Sequence, residues 1–187
     1  MAHVFIISGS AGVGKNTLWE RVAPLCREKI ERVITMTSRS PRPQEKDGVD
    51  YYFTSPEVFE ENIREGKMIE YAIVHETYYG STFDALDHVM KSGKNPVYII
   101  EPKGMVAIKP VLEAKWYTVR TIFILPPSEE ALIERLKWRG TETDEEHEIR
   151  KQTTLEEMKK KDMYDFHIIN DDLNEATQKL LSILCED

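Results

Sequence analysis

The run HVFIIS, residues 3–8, leads straight into SGSAGVGKNT, residues 8–17. Gly9, Gly14 and Lys15 satisfy G-x-x-x-x-G-K, and Gly12 adds a further residue free of side-chain constraint. Leu18, Val22 and Leu25 then follow at helical spacing, with Pro24 placed to kink or end the helix. A short apolar run, a glycine loop and an amphipathic stretch together spell strand, phosphate-binding turn, helix. The chemistry needs these residue types. Glycines let successive backbone N–H groups turn toward one anion, the helix start adds its positive end, and Lys15 can bridge the outer phosphates as a point charge. Ser10, Ala11, Gly12, Val13, Gly14, Lys15, Asn16 and Thr17 are therefore the candidate cradle for a nucleoside triphosphate.

The rest of the chain repeats the alternation. RVITMT (32–37), PVYIIE (96–101), RTIFIL (120–125) and FHIIN (166–170) read as strands, and IEYAIV (69–74) as a less regular one. Helices are expected from Pro56 behind a Ser55 cap, from Thr82 to Ser92, after Ser128 with Leu132 and Leu136, and after Thr143 with Glu146 as a capping box. A final helix carries Ala176, Leu180, Leu181 and Leu184. Buried strands alternating with helices predict an α/β fold, a parallel sheet covered on both faces. The stretch 35–91, with its polar loop SRSPRPQEKDGVD (38–50), breaks the alternation and reads as an inserted subdomain.

At 187 residues, 41% hydrophobic and 31% charged, the chain fits one soluble globular domain. No apolar run reaches membrane-spanning length, and the N-terminal stretch reads as a first strand rather than a secretion signal. A net charge of −8 argues against nucleic acid as a partner. Cys26 and Cys185 form no CxxC or Cys/His cluster. Neither zinc nor a disulfide framework is indicated, and a reducing, cytoplasmic setting is expected. The scattered His75, His88, His147 and His167 and the run Lys159–Lys161 read as surface or ordinary core residues.

TSRSPRPQEKDGVDYYF (37–53), EYAIVHETYYGST (70–82), RLKWRGTET (135–143) and NDDL (170–173), in this order along nearly the whole chain, resemble the guanylate kinase family. The resemblance implies a P-loop kinase in three parts: a core of 1–34, 92–135 and 154–187, a GMP-binding subdomain at 35–91, and a lid at 136–153. It implies ATP and GMP as substrates, ADP and GDP as products, and Mg²⁺ with the ATP. By family match Arg39, Arg42, Tyr51 and Tyr79 hold the GMP phosphate. Two guanidinium forks and two phenols suit a dianion on chemical grounds as well. Thr35, Glu70, Ser81 and Thr82 match the base-recognition positions. A carboxylate can accept both donors of the guanine edge, which adenine lacks. Arg135, Arg139 and Arg150 match arginines that contact ATP and steady the transferring group, Lys15, Arg39, Arg139 and Arg150 being the catalytic set. Asn170 is placed near the adenine, with Asp171 beside it at the carboxyl end of the sheet.

The chain departs from the family pattern on the metal side. Asn16 stands where a hydroxyl is usual, although Thr17 follows. In IIEPKG (99–104), Glu101 keeps the second acid, Ile99 replaces the first, and Pro102 and Lys103 are unusual. Mg²⁺ is therefore expected to be held mainly by phosphates and water, with Asn16, Thr17 and Glu101 reaching it through water. Glu101 is also a candidate to bind guanine, and Lys103 to replace part of the metal's charge. A kinase for another small phosphate, such as ribose 1,5-bisphosphate, and a catalytically silent binding module are the alternative readings. The intact phosphate loop argues against the module, and the retained Glu70, Ser81 and Thr82 argue against the other kinase. A monomer or a homodimer is expected.

Overall fold

A computed structural model describes residues 3–74, 76–137, 152 and 156–185. Nine strands and six helices are named in chain order: β1 (His3–Ser8), α1 (Lys15–Val22), β2 (Ile30–Arg32), β3 (Met36–Thr37), β4 (Tyr52–Phe53), α2 (Pro56–Arg64), β5 (Met68–Val74), β6 (Thr77–Thr82), α3 (Phe83–Lys91), β7 (Asn95–Ile99), α4 (Pro102–Ala114), β8 (Thr118–Leu125), α5 (Glu129–Lys137), β9 (Phe166–Ile169) and α6 (Leu173–Cys185). The expected capping box at Thr143 and Glu146 lies outside the described residues.

The core sheet is parallel throughout, in the order β2-β7-β1-β8-β9, with the loop-bearing strand at its centre. Alternate side chains feed two separate cores, as a strand period of two requires. Phe5, Ile7, Val97, Ile122, Ile124 and Ile168 pack with Leu18 and Val22 of α1 and Ala176, Leu180 and Leu184 of α6. Val4, Ile6, Tyr98 and Phe123 turn the other way, toward Leu86 and Val89 of α3 and Met105, Ile108 and Leu112 of α4. A second sheet, β4-β3-β6-β5, holds two antiparallel pairs and one parallel pair.

The expected strand over 32–37 is in fact two. Ile30–Arg32 stays in the core sheet and Met36–Thr37 joins the second, because after the Val33 amide bonds to the Val97 carbonyl the chain leaves the core. Helix α4, missing from the sequence reading, begins with Pro102 in its first turn, where no backbone N–H is required, and carries Pro110 within it. Leu25 was expected on the buried stripe but is exposed, since α1 gives way to a 3-10 turn over Ala23–Leu25. Cys26 and Cys185, 159 residues apart, are joined by a disulfide with their Cα atoms 6.4 Å apart, against the expectation of no disulfide. The pair forms because α6 packs along α1, a tertiary contact that no local spacing announces. No described helix is long and apolar enough to cross a membrane.

Candidate active site

The phosphate loop joins β1 to α1 and is braced from three sides. Gly12 and Gly14 have φ of 83° and 94°, in the left-handed region that favours glycine. A Cβ on Gly14 would lie 2.4 Å from the Asn170 amide nitrogen, and one on Gly9 2.5 Å from the Ile124 carbonyl. Asn170, buried at the end of β9, donates from Nδ2 to the Val13 carbonyl at 2.8 Å. Lys15 Nζ donates to the carbonyls of Gly9 at 2.5 Å and Ser10 at 3.0 Å. The lysine thus folds back over the loop that it would share with a phosphate. Asn16 and Thr17 are exposed in the first turn of α1, and Asp171 is exposed just past β9.

Two residues beside this loop escaped the sequence reading. Tyr164 donates from its buried hydroxyl to Ser8 Oγ at 2.9 Å, and burial pushes its phenol up to about 12. Glu157 accepts from the Ser10 side chain, and burial raises its carboxyl above the ordinary range with Glu101, Lys15 and Lys160 nearby. Only the tertiary fold brings position 157 to residue 10.

The phosphate-acceptor candidates lie on and around the second sheet. Arg39 forms a two-pronged ion pair with Glu45: Nη1 donates to Oε2 and Nη2 to Oε1, each at 2.6 Å. Its guanidinium carbon lies 5.3 Å from the Tyr51 ring centroid and 5.6 Å from that of Phe53, and the Tyr79 side chain also bonds to it. These contacts, the Glu45 bonds foremost, raise the Arg39 pKa and keep it charged. The Tyr51 and Tyr79 rings meet edge-on at 6.3 Å. Arg42 is exposed, and its backbone N–H donates to Glu45 Oε2 at 2.8 Å. Glu45, not singled out from sequence, therefore accepts from the arginine fork as a phosphate would. The Arg39 bonds, together with the Arg42 amide, hold its own pKa down.

The base-recognition candidates come together in part. Glu70 of β5 lies opposite Ser81 of β6, and Ser81 Oγ donates to Glu70 Oε1 at 3.0 Å. Burial pushes the Glu70 carboxyl up to about 7, against the lowering effect of the Ser81 hydroxyl and amide. Thr82 is buried, and its hydroxyl accepts the Ala85 N–H at 3.2 Å as the cap of α3. Thr35 is buried where the chain passes between the sheets, its carbonyl accepting the Tyr52 N–H at 2.8 Å. Glu101 is the exposed residue that precedes α4. Among the described residues no three His, Cys, Asp or Glu side chains converge on a metal position, while the exposed Asn16, Thr17 and Glu101 present oxygens of the hard type that Mg²⁺ takes. Arg135 belongs to α5, while Arg139 and Arg150 lie outside the described residues.

Comparison with known proteins agrees along the whole chain. The sequence model of the family described as guanylate kinase matches residues 1–187. A guanylate kinase of Chlamydia caviae is 37% identical over 180 residues, covering 96% of this chain and 86% of that protein. One from Malacoplasma penetrans is 39% identical over 183 residues, covering 98% and 92%. The crystal structure of guanylate kinase from Anaplasma phagocytophilum superimposes with a TM-score of 0.74 at 27% identity, covering 98% of this chain and 84% of that one. A glycine loop locked by Asn170, an arginine fork and a carboxylate paired with a hydroxyl thus sit on a frame shared across its length with those enzymes, and the chain belongs to the guanylate kinase family.

Proposed function

We propose that this protein transfers the γ-phosphoryl group of ATP to GMP, giving ADP and GDP. The observation that carries the reading is the Glu70–Ser81 pair, a half-buried carboxylate on the same small sheet as the Tyr79 that bonds to Arg39. Guanine offers N1–H and N2–H₂ to such a carboxylate, and adenine would leave it unpaired. ATP would lie in the loop, with Lys15 swinging from the Gly9 and Ser10 carbonyls onto the phosphates. The GMP phosphate would take the Arg39 fork now facing Glu45, with Arg42, Tyr51 and Tyr79 around it. An oxygen of that phosphate bonds to the γ-phosphorus as the bond to the β–γ bridging oxygen breaks and its electron pair leaves with ADP. A phosphate monoester has a second pKa near ~6, so this oxygen is already deprotonated at neutral pH and no general base is required. Asn16, Thr17 and Glu101 would reach Mg²⁺ through its water shell, and the ion would supply charge neutralisation to the phosphates. Arg135, Arg139 and Arg150 complete the proposed cationic set.

The proposed division assigns 35–91 to the acceptor, 136–153 to a lid, and the remainder to the core. A cytoplasmic setting is proposed, in which the Cys26–Cys185 disulfide of the structure would be open to reduction. Alkylation before and after reduction reports their state. Coupled ADP release with ATP and a panel of GMP, dGMP, AMP and ribose 1,5-bisphosphate tests the reaction. GMP should support turnover far above AMP and ribose 1,5-bisphosphate, with dGMP reporting how much the 2′-hydroxyl matters. Preference for the sugar bisphosphate, or no ADP with any acceptor, would refute it.

A further inference from the structure

Tyr98 of β7 is fully enclosed in the core shared by Ile69, Leu86, Val89 and Met105, at 0% exposure. Its hydroxyl has no hydrogen-bond partner among the described residues. An isolated hydroxyl in an apolar core is a costly arrangement, and a core of this kind would be better filled by phenylalanine. The retained oxygen therefore calls for a reason.

The local backbone supplies one. Strand pairing steps from Met68 opposite Thr82 to Glu70 opposite Ser81, so Ile69 is the extra residue of a β-bulge. Ile69 is buried in the same cluster as Tyr98, and Glu70, the next residue, turns to Ser81. Burial holds the Tyr98 phenol protonated, and of its charged and phenolic neighbours Glu70 acts on it most strongly, ahead of Tyr117 and Asp87. A donor without an acceptor thus lies within electrostatic reach of a carboxylate whose side-chain and backbone donors both come from one residue, Ser81. A carboxylate has room for about four such bonds.

We infer that Tyr98 is a positioning residue for Glu70, its hydroxyl donating to the ionised carboxylate when guanine occupies the other lone pairs. The inference rests on the proposed role of Glu70 in reading guanine. It assigns to the core sheet a direct part in acceptor selectivity, through a residue that never touches the nucleotide.

Tyr98→Phe tests it, because only the oxygen is removed and the ring still fills the core. The expected result is a GMP KM raised about tenfold, as for loss of one hydrogen bond to a charged group. The kcat and the KM for ATP should stay within about twofold of wild type, and the melting temperature should be unchanged or higher. Glu70→Gln is measured beside it, with the double variant. If Tyr98 acts through Glu70, Tyr98→Phe costs much less in the Glu70→Gln background than in wild type, since a neutral amide oxygen is the weaker acceptor. A GMP KM for Tyr98→Phe equal to wild type, with Glu70→Gln impaired, overturns this inference alone. A Glu70→Gln protein with normal GMP use overturns the reading of Glu70 and this inference with it.

Discussion

Lys15, Glu70 and Arg39 each spend their present contacts on groups that the substrates would replace or join. Lys15 bonds loop carbonyls, so Lys15→Met should preserve the fold but lower kcat about 10²-fold or more, checked by steady-state assay beside circular dichroism. Glu70 gives a prediction whose sign differs between bound and free protein. Its carboxyl is raised from 4.5 to about 7 by burial, so at lower pH it is protonated and loses an acceptor position. GMP KM should fall as pH rises through about 7, and Glu70→Gln should abolish that dependence. In the free protein, an acid with a raised folded pKa contributes stability fully below about 4.5, which is lost as pH rises through about 7. Glu70→Gln should therefore melt higher than wild type at pH 8 while using GMP poorly, the exchange of stability for function expected of a strained site. Differential scanning calorimetry across that pH range reads the stability, and steady-state assays at the same pH values read the KM. Sequence alone pointed to Lys15, Arg39 and Glu70, since each sits in a local motif. Glu45 and Glu157 were not legible, because their partners are brought to them by folding, nor was the enclosed hydroxyl of Tyr98, whose burial only the packed core defines.

At the scale of elements, the loop depends on two strands that do not contain it. Asn170 follows β9 and Ile124 lies in β8, and both press on glycines of the turn after β1. Gly14→Ala meets the Asn170 amide and a left-handed backbone together, so ATP binding should drop sharply by calorimetric titration. Asn170→Ala frees the Val13 carbonyl and should raise the KM for ATP, even if the side chain never reaches the adenine. Helix α6 shows the packing side: Leu180→Ala should cost about 2–5 kcal/mol in denaturant unfolding, because its site is completely buried. The buried strands of the core were readable as short apolar runs. Strands β3 and β4, two residues each, are too short to show a period, and α4 was masked by prolines that sit where a helix can carry them.

For the whole molecule, the proposed donor and acceptor grips belong to different sheets: the loop to the parallel core, and Arg39, Tyr79 and Glu70 to the smaller sheet and its loop. Phosphoryl transfer requires the two to meet and to exclude water. ATP hydrolysis without GMP should accordingly run orders of magnitude slower than transfer with it, measured as ADP formed in each case. The split into two sheets was legible because the stretch 35–91 interrupts the alternation of buried strands and helices. The Cys26–Cys185 link was not, since nothing short of the packed α1–α6 pair brings those positions together. In the proposed reaction guanine is recognised by the carboxylate of Glu70, and the most direct measurement of that is kcat/KM for GMP against AMP in wild type and Glu70→Gln. The predicted result is a preference for GMP of at least about 10³-fold that collapses in the variant. An unchanged preference in Glu70→Gln, or none in the wild type, would contradict it.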